Sequence, residues 1–469
     1  MHRSILVPVV SALMLMAAYP AAASDAPGPQ TSVQGPAWST CTDTALQATF
    51  PSPPTVSTSG TITVTDASTG AVADTIDLSD PASFQRNVGG AVNADGTLHS
   101  FQYFPITVDG DTAQIHLHTE LAPGHVYTAT ATPGVFTGQT AALSWSFRTR
   151  PAHPLGSVIT VAADGHGDFC TVQGAIDAVP FGNTRPVDIR VAPGTYTELV
   201  WVPTGKPYIT VEGSGADRTV VQYTNNNTLN SVNAVGICPR QLIPGHDDNN
   251  CWRASFNVEA DNFTVRDITL QNTTPYGGSQ AEAFRGNADK IVLDHVRLLS
   301  YQDTLRLQGR GFIDNSYIAG DVDFTWGFGA VMIENSELHS LHAGYVTQVR
   351  NDADHPGYVF LHDRLTADPS VAAGSVYLGR IDPTVYPYSQ AYFIDTAMGP
   401  QIAAAGWLLN NADCTAGTHL QFAEYGSTDL TGAPLSTTSR LSCSTQLTAA
   451  QAALWSNPAT VLSGWNPEA

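Results

Sequence analysis

The sequence predicts an all-β chain, a right-handed parallel β-helix preceded by an antiparallel β-sandwich. Three observations carry that reading. Between about residues 40 and 148, apolar and polar residues alternate in short runs separated by turn signals. Beyond residue 260, a strand-and-turn motif returns at steps of 20 to 28 residues. The 469 residues include 40 Gly and 30 Pro, Thr, Val, Ala and Asn abound, and Lys is scarce, which suits strands and turns.

At the start, Met1, His2 and Arg3 precede an apolar stretch from Ile5 to Tyr19, and Ala21-Ala22-Ala23 follows. This pattern predicts a signal peptide over residues 1–23 and a secreted protein, extracellular or periplasmic. Fifteen mostly apolar residues interrupted by Pro8 are too few to span a bilayer.

The sandwich is expected over residues 24–150. Its alternating runs include Thr61-Ile62-Thr63-Val64-Thr65, Ala113-Gln114-Ile115-His116-Leu117-His118 and Tyr127-Thr128-Ala129-Thr130-Ala131, with Pro123-Gly124-His125 as one of the turns. Leu121-Ala122-Pro123-Gly124-His125-Val126-Tyr127-Thr128 resembles bacterial Ig-like modules of the S-layer type. His116 and His118 would share a strand face, and the spacing favours two solvated histidines over a metal site. Arg150-Pro151-Ala152-His153-Pro154 closes the region as a linker.

The β-helix is expected over residues 157–469. It opens with the strand Val158-Ile159-Thr160-Val161 and a short apolar helix around Ala175, ended by Pro180 and placed over the end of the coil. The motif then repeats: an apolar residue, Asp, Asn or His two positions on, and Leu or Ile three positions after that. Its copies start at Val265, Leu293, Ile313 and Ile333, with a weaker one at Leu361, so the steps are 28, 20, 20 and 28 residues. Six cysteines in an oxidising setting favour disulfides over metal. Sequence proximity pairs Cys238 with Cys251 and Cys414 with Cys443, leaving Cys41 and Cys170 to tie the two regions.

The repeat has a chemical consequence. Asp303 lies ten residues after Leu293, and Asp323 lies ten after Ile313, so the two occupy the same place on neighbouring coils. Parallel strands are about 4.8 Å apart, which brings two such carboxyls within reach of each other. Like charges that close titrate as a unit, one acid keeping its proton beside an anion, as acid/base catalysis with a nucleophile requires. Their flanks, Tyr301-Gln302-Asp303-Thr304-Leu305 and Val322-Asp323-Phe324-Thr325-Trp326, read as strand rather than turn.

The second region resembles the pectin methylesterases. The resemblance rests on Ile159-Thr160-Val161-Ala162-Ala163-Asp164-Gly165, Pro193-Gly194-Thr195-Tyr196-Thr197-Glu198, Gln280-Ala281-Glu282-Ala283-Phe284-Arg285, Gln302-Asp303-Thr304-Leu305, Gly320-Asp321-Val322-Asp323-Phe324, Leu378-Gly379-Arg380 and Gly464-Trp465-Asn466-Pro467, in the family's order. It implies a pectinesterase that removes methyl esters from pectin with no cofactor and no metal. Asp323 would be the nucleophile, Asp303 the acid and base, and Arg380 the partner that keeps Asp323 ionised. Gln280 and Gln302 would donate to the tetrahedral oxyanion. Tyr301, Phe324, Trp326 and Trp407 would bind the sugar chain.

Three positions depart from the family pattern. Ile381-Asp382 follows the arginine in place of Pro-Trp, Trp326 replaces the second phenylalanine after the nucleophile, and Asp321 takes a spot commonly held by a small polar residue. Placed two positions before the nucleophile, Asp321 is expected to raise carboxyl pKa values nearby.

Composition and motifs weigh against rivals. With 20 Lys+Arg against 41 Asp+Glu, the net charge of −21 repels nucleic acid and favours a monomer. No Gly-x-Ser-x-Gly supports a serine hydrolase. A glycosidase could use two carboxylates but needs neither Arg380 nor paired glutamines. A calcium-dependent lyase would need an acidic cluster, for which Asp247-Asp248 and Asp352 with Asp354 are the candidates. A non-catalytic polysaccharide-binding solenoid requires the two acids to lie far apart.

Overall fold

The computed structural model describes residues 39–467 except 231–237, 241, 243–249 and 417–418. The signal segment 1–23 and Asp247-Asp248 lie outside the described residues. No helix among the described residues is long and apolar enough to cross a membrane.

The alternating runs near the start build two sheets on one core. Ser39–Thr40, Leu143–Thr149, Val126–Ala131, Thr61–Asp66 and Val72–Asp77 form a five-stranded sheet in that order, antiparallel except for its first pair. Leu46–Thr49, Thr112–Ile115 and Ile106–Asp109 form an antiparallel three-stranded sheet. Burial alternates along Thr61–Asp66 and Val126–Ala131, sending Ile62, Val64, Tyr127 and Ala129 inward against Leu46 and Ile115 of the other sheet. His116 and His118 lie beyond the end of their strand and do not form a solvated pair. His116 Nε2 is 2.9 Å from the Thr107 hydroxyl, and His118 Nδ1 is 2.8 Å from Asp74.

From Val158 onward the chain winds into a parallel β-helix. One face is an eleven-stranded sheet running from Val158–Val161 to Thr445–Gln446, all its pairings parallel. Its register stacks Val265, Leu293, Ile313, Ile333 and Phe360 on successive coils. The last step is therefore 27 residues, ending at Phe360 rather than Leu361. Leu270, Leu298, Ile318, Leu338 and Leu365 stack likewise on a second face, and both columns are buried in the same core.

The polar residue of the motif is explained by its backbone. Asp267, His295, Asn315, Asn335, His362 and Asp395 all have φ between 48° and 56°, a left-handed corner one residue wide that turns the chain between two faces. Asn and Asp tolerate that conformation better than most residues because their short side chains bond locally.

The helix Val172–Ala178 covers the first coil, its Thr171 side chain accepting from Gly174 N–H, with Val172, Ala175 and Ile176 buried. The sandwich is fastened to this end. Cys41 is disulfide-bonded to Cys170, and the Asp43 carboxylate accepts from the N–H of Cys170 and Thr171. His99 stacks on Trp252 at 3.6 Å, and Trp252 stacks on Trp201 at 4.9 Å. Cys238–Cys251 and Cys414–Cys443 are the other disulfides.

Candidate active site

The strand Tyr317–Gly327 carries Asp323 and belongs to the coil after the one that carries Asp303. Leu305 pairs with Thr325, and Asp303 N–H donates to the Val322 carbonyl at 3.0 Å, so the acids occupy matching places on adjacent coils. Asp303 stands in a bend before Leu305–Leu307 rather than in a strand. Both residues have positive φ, 67° at Asp303 and 50° at Asp323, and the ladder to the next coil slips on either side of Val322, the residue before Asp323. Non-glycine residues held this way cost on the order of 1–3 kcal/mol each and concentrate at functional sites.

The two carboxylates are held by different cations. Arg380 forks onto Asp323, Nε to Oδ1 at 2.8 Å and Nη2 to Oδ2 at 2.5 Å, while its guanidinium lies over the Tyr345 ring. Gln348 Nε2 adds a third donor to Asp323 at 3.2 Å. Arg253 Nη2 donates to Asp303 at 2.6 Å but also grips the fully buried Glu282 through Nε and Nη2. The Asp303 carboxyl is pushed up to about 7, chiefly by burial, with Arg253 opposing, the charges of Glu282 and Asp323 adding to the rise and Arg350 opposing. Burial also raises Asp323, opposed by Arg380. Asp323 has the whole fork of Arg380 whereas Asp303 shares its arginine, so the proton of the pair resides on Asp303.

Gln280 and Gln302 are half-buried on adjacent coils, the Gln302 carbonyl accepting from Ala281 N–H. Their side-chain amides make no hydrogen bond among the described residues. Tyr301 is half-buried, its ring 5.5 Å from Tyr276 and 5.7 Å from His342. Asp321 is buried, with its carboxylate 3.3 Å from His342 and bonded to Val322 N–H, and is not a principal influence on the carboxyl of Asp303 or of Asp323.

The aromatic expectations need correction. Phe324 and Trp407 are buried in the coil core, Trp407 stacked on Phe422 at 4.4 Å, so neither ring meets a sugar chain. Trp326 is also buried and lies against Arg253, Arg306 and Arg350. Tyr386, six positions after Arg380, meets Phe328 and Arg350.

Sequence reasoning missed Arg253, Glu282, Gln348, Arg350 and Tyr386. Glu282 and Gln348 sit in register beside coil positions that the repeat defines, whereas Arg253 reaches Asp303 across 50 residues and no spacing signals it. Three metal-ligand atoms come together only at Cys41, Asp43 and Cys170 among the described residues, and the disulfide takes two of them.

The parallel β-helix and the likenesses that follow define a carboxylic ester hydrolase. The Pectinesterase family model matches residues 158–458. Pectinesterase 31 of Arabidopsis thaliana is 34% identical over 253 residues, covering 53% of this chain and 76% of that protein. Pectinesterase 2 of Olea europaea is 28% identical over 327 residues, 66% and 79% of the respective chains. A pectin methylesterase from carrot superposes with a TM-score of 0.56 at 28% identity, covering 67% of this chain and 95% of the other. The chain belongs to the pectinesterase family, and it removes methyl esters from pectin.

Proposed function

We propose that Asp323 attacks the methyl-ester carbonyl of pectin while Asp303 supplies the proton. The C–O bond to the methoxy group breaks as Asp303 protonates it, methanol leaves, and an acyl–Asp323 anhydride remains. Asp303, now ionised, takes a proton from water, which attacks the anhydride, frees the galacturonate carboxylate and restores both side chains. The unbonded amides of Gln280 and Gln302 supply donors for the oxyanion, each worth roughly 3 to 4 kcal/mol in comparable sites.

The observation that carries this reading is the asymmetric holding of the pair, Asp323 forked by Arg380 and Asp303 left protonable by burial. A glycosidase gains nothing from a forked nucleophile beside two free amides. Release of methanol from methylated pectin, with neither new reducing ends nor unsaturated ends, tests it against glycosidase and lyase. The signal-like start and three disulfides support secretion. In the same reading, residues 24–150 form an Ig-like sandwich domain and residues 157–469 the catalytic domain. The net charge supports a monomer that binds no nucleic acid.

A further inference from the structure

The arginine that grips Asp303 stands outside the regular coil. Residues 250–254 belong to no strand, and the ladder resumes with Ser255, whose N–H donates to the Glu282 carbonyl at 2.9 Å. Buried contacts on either side hold Arg253 in place. Asn225 Nδ2 donates to the carbonyls of both Trp252 and Ala254 at 2.8 Å, so one amide clamps the main chain that flanks the arginine. The Asn225 carbonyl accepts from Asn272 Nδ2 at 2.6 Å, and the same Nδ2 donates to the Glu282 carbonyl at 3.0 Å. Arg253 and its second carboxylate therefore hang on one asparagine relay.

The relay ends on the front region, where Gln85–Arg86 and Phe101–Gln102 form a hairpin. Gln102 N–H donates to Asn230 Oδ1 at 2.9 Å, and the Gln102 carbonyl accepts from Asn230 Nδ2 at 3.0 Å. That Nδ2 also donates to Asn225 Oδ1 at 2.8 Å. Just before the strand, His99 lies flat on Trp252, the residue preceding Arg253, with ring centres 3.6 Å apart and planes at 13°. Phe101 meets the same indole edge-on at 5.7 Å. His99, Trp252, Asn225 and Asn230 are all buried. Close-packed rings and fully engaged buried amides have few alternative arrangements, so they transmit position rather than absorb it.

We propose that this hairpin of the front region is a positioning device for the proton donor: His99 and Asn230 hold Trp252 and Asn225, these hold Arg253, and Arg253 meets Asp303. The proposal rests on Asp303 being the acid of the reaction, and it gives the front region a part in the chemistry. The charged groups facing Asp303 are Arg253, Glu282, Asp323 and Arg350, together with Arg380 on Asp323. Asp323, Arg350 and Arg380 are carried by later coils, so loosening the relay withdraws Arg253 and leaves those three in place. Loss of that cation favours the protonated carboxyl, and the alkaline limb of kcat/KM moves to higher pH, opposite in sign to removal of the Glu282 charge. Burial lowers the His99 pKa to about 4, so His99 itself stays neutral across that limb.

The test follows methanol release against pH, and thermal unfolding, for the full chain and for His99→Ala, His99→Phe, Asn230→Ala and Ile62→Ala. His99→Ala and Asn230→Ala each lower kcat about tenfold and raise the alkaline limb by about half a unit. His99→Phe keeps a ring on Trp252 and retains the limb of the unaltered protein. Ile62→Ala, in the core of the front region, lowers the melting temperature and leaves the limb where it was. Folded His99→Ala and Asn230→Ala with an unmoved limb overturn the proposal, as does an equal shift in Ile62→Ala or in His99→Phe. If His99→Ala fails to fold, His99→Leu and Asn230→Ala are judged by the same outcomes. A limb that moves in Glu282→Gln but not in these variants refutes the positioning role alone, whereas one that moves in none of them, or an unaltered protein that releases no methanol, refutes the reading of Asp303 beneath it.

Discussion

Glu282 and Asp303 share a single guanidinium. Arg253 sets Nε and Nη2 on Glu282 and the same Nη2 on Asp303 at 2.6 Å. Removing the charge of Glu282 gives that cation wholly to Asp303 and takes away a negative neighbour, and both changes lower the Asp303 pKa. In the proposed mechanism Asp303 holds a proton to release methanol, so the alkaline limb of kcat/KM, set near 7 by that group, moves to lower pH in Glu282→Gln by on the order of one unit. A pH–rate profile that does not move would show that the Asp303 proton is governed elsewhere.

Asp323→Asn removes the proposed nucleophile while preserving its shape. Methanol release falls by at least about 10⁴-fold, and circular dichroism retains the β spectrum. Activity that survives the substitution refutes the nucleophile assignment.

Gly320 lies where the two acid-bearing coils touch. A Cβ there would stand 2.2 Å from Phe324 Cβ, 2.7 Å from the Thr304 hydroxyl and 2.8 Å from the Tyr301 carbonyl. Gly320→Ala therefore wedges the Asp303 coil away from the Asp323 coil. We expect kcat to fall by roughly 10²-fold, with a stability loss on the order of 1–3 kcal/mol in denaturant titration.

Glu198 lies in the cavity between sandwich and coil and accepts from the N–H of Val172 and Gln173. Burial raises its pKa from 4.5 to about 7. The folded protein therefore binds this proton more tightly than the unfolded chain. Its contribution to stability is complete below about 4.5 and is lost as pH rises toward 7. Thermal unfolding followed across that window should show a shallower decline for Glu198→Gln, and parallel curves would exclude Glu198 as the group responsible.

The coil was legible in the sequence because its two demands are local. Inward positions must be apolar, as at Leu293, Ile313 and Ile333, and each corner needs a residue tolerant of positive φ, as at His295, Asn315 and Asn335. The acids followed from the same register. Phe324 misled because its neighbour Asp323 faces the reaction centre while the next side chain turns into the core, so adjacency in a motif did not mean a shared face. Arg253 was illegible for a different reason: it is placed by long-range packing beside Trp252 and the Cys238–Cys251 bridge, and only its contacts reveal its role.

The 20-residue interval between the acids also fixes where this chain tolerates lengthening. One amino acid gained or lost between Asp303 and Asp323 would carry every following side chain off its column and dismantle the pair. The coil from Val265 to Leu293 already holds eight additional positions without disturbing the stack. Natural or engineered insertions therefore belong in that longer winding, where the protein can remodel its surface while the spacing of its chemistry stays constant.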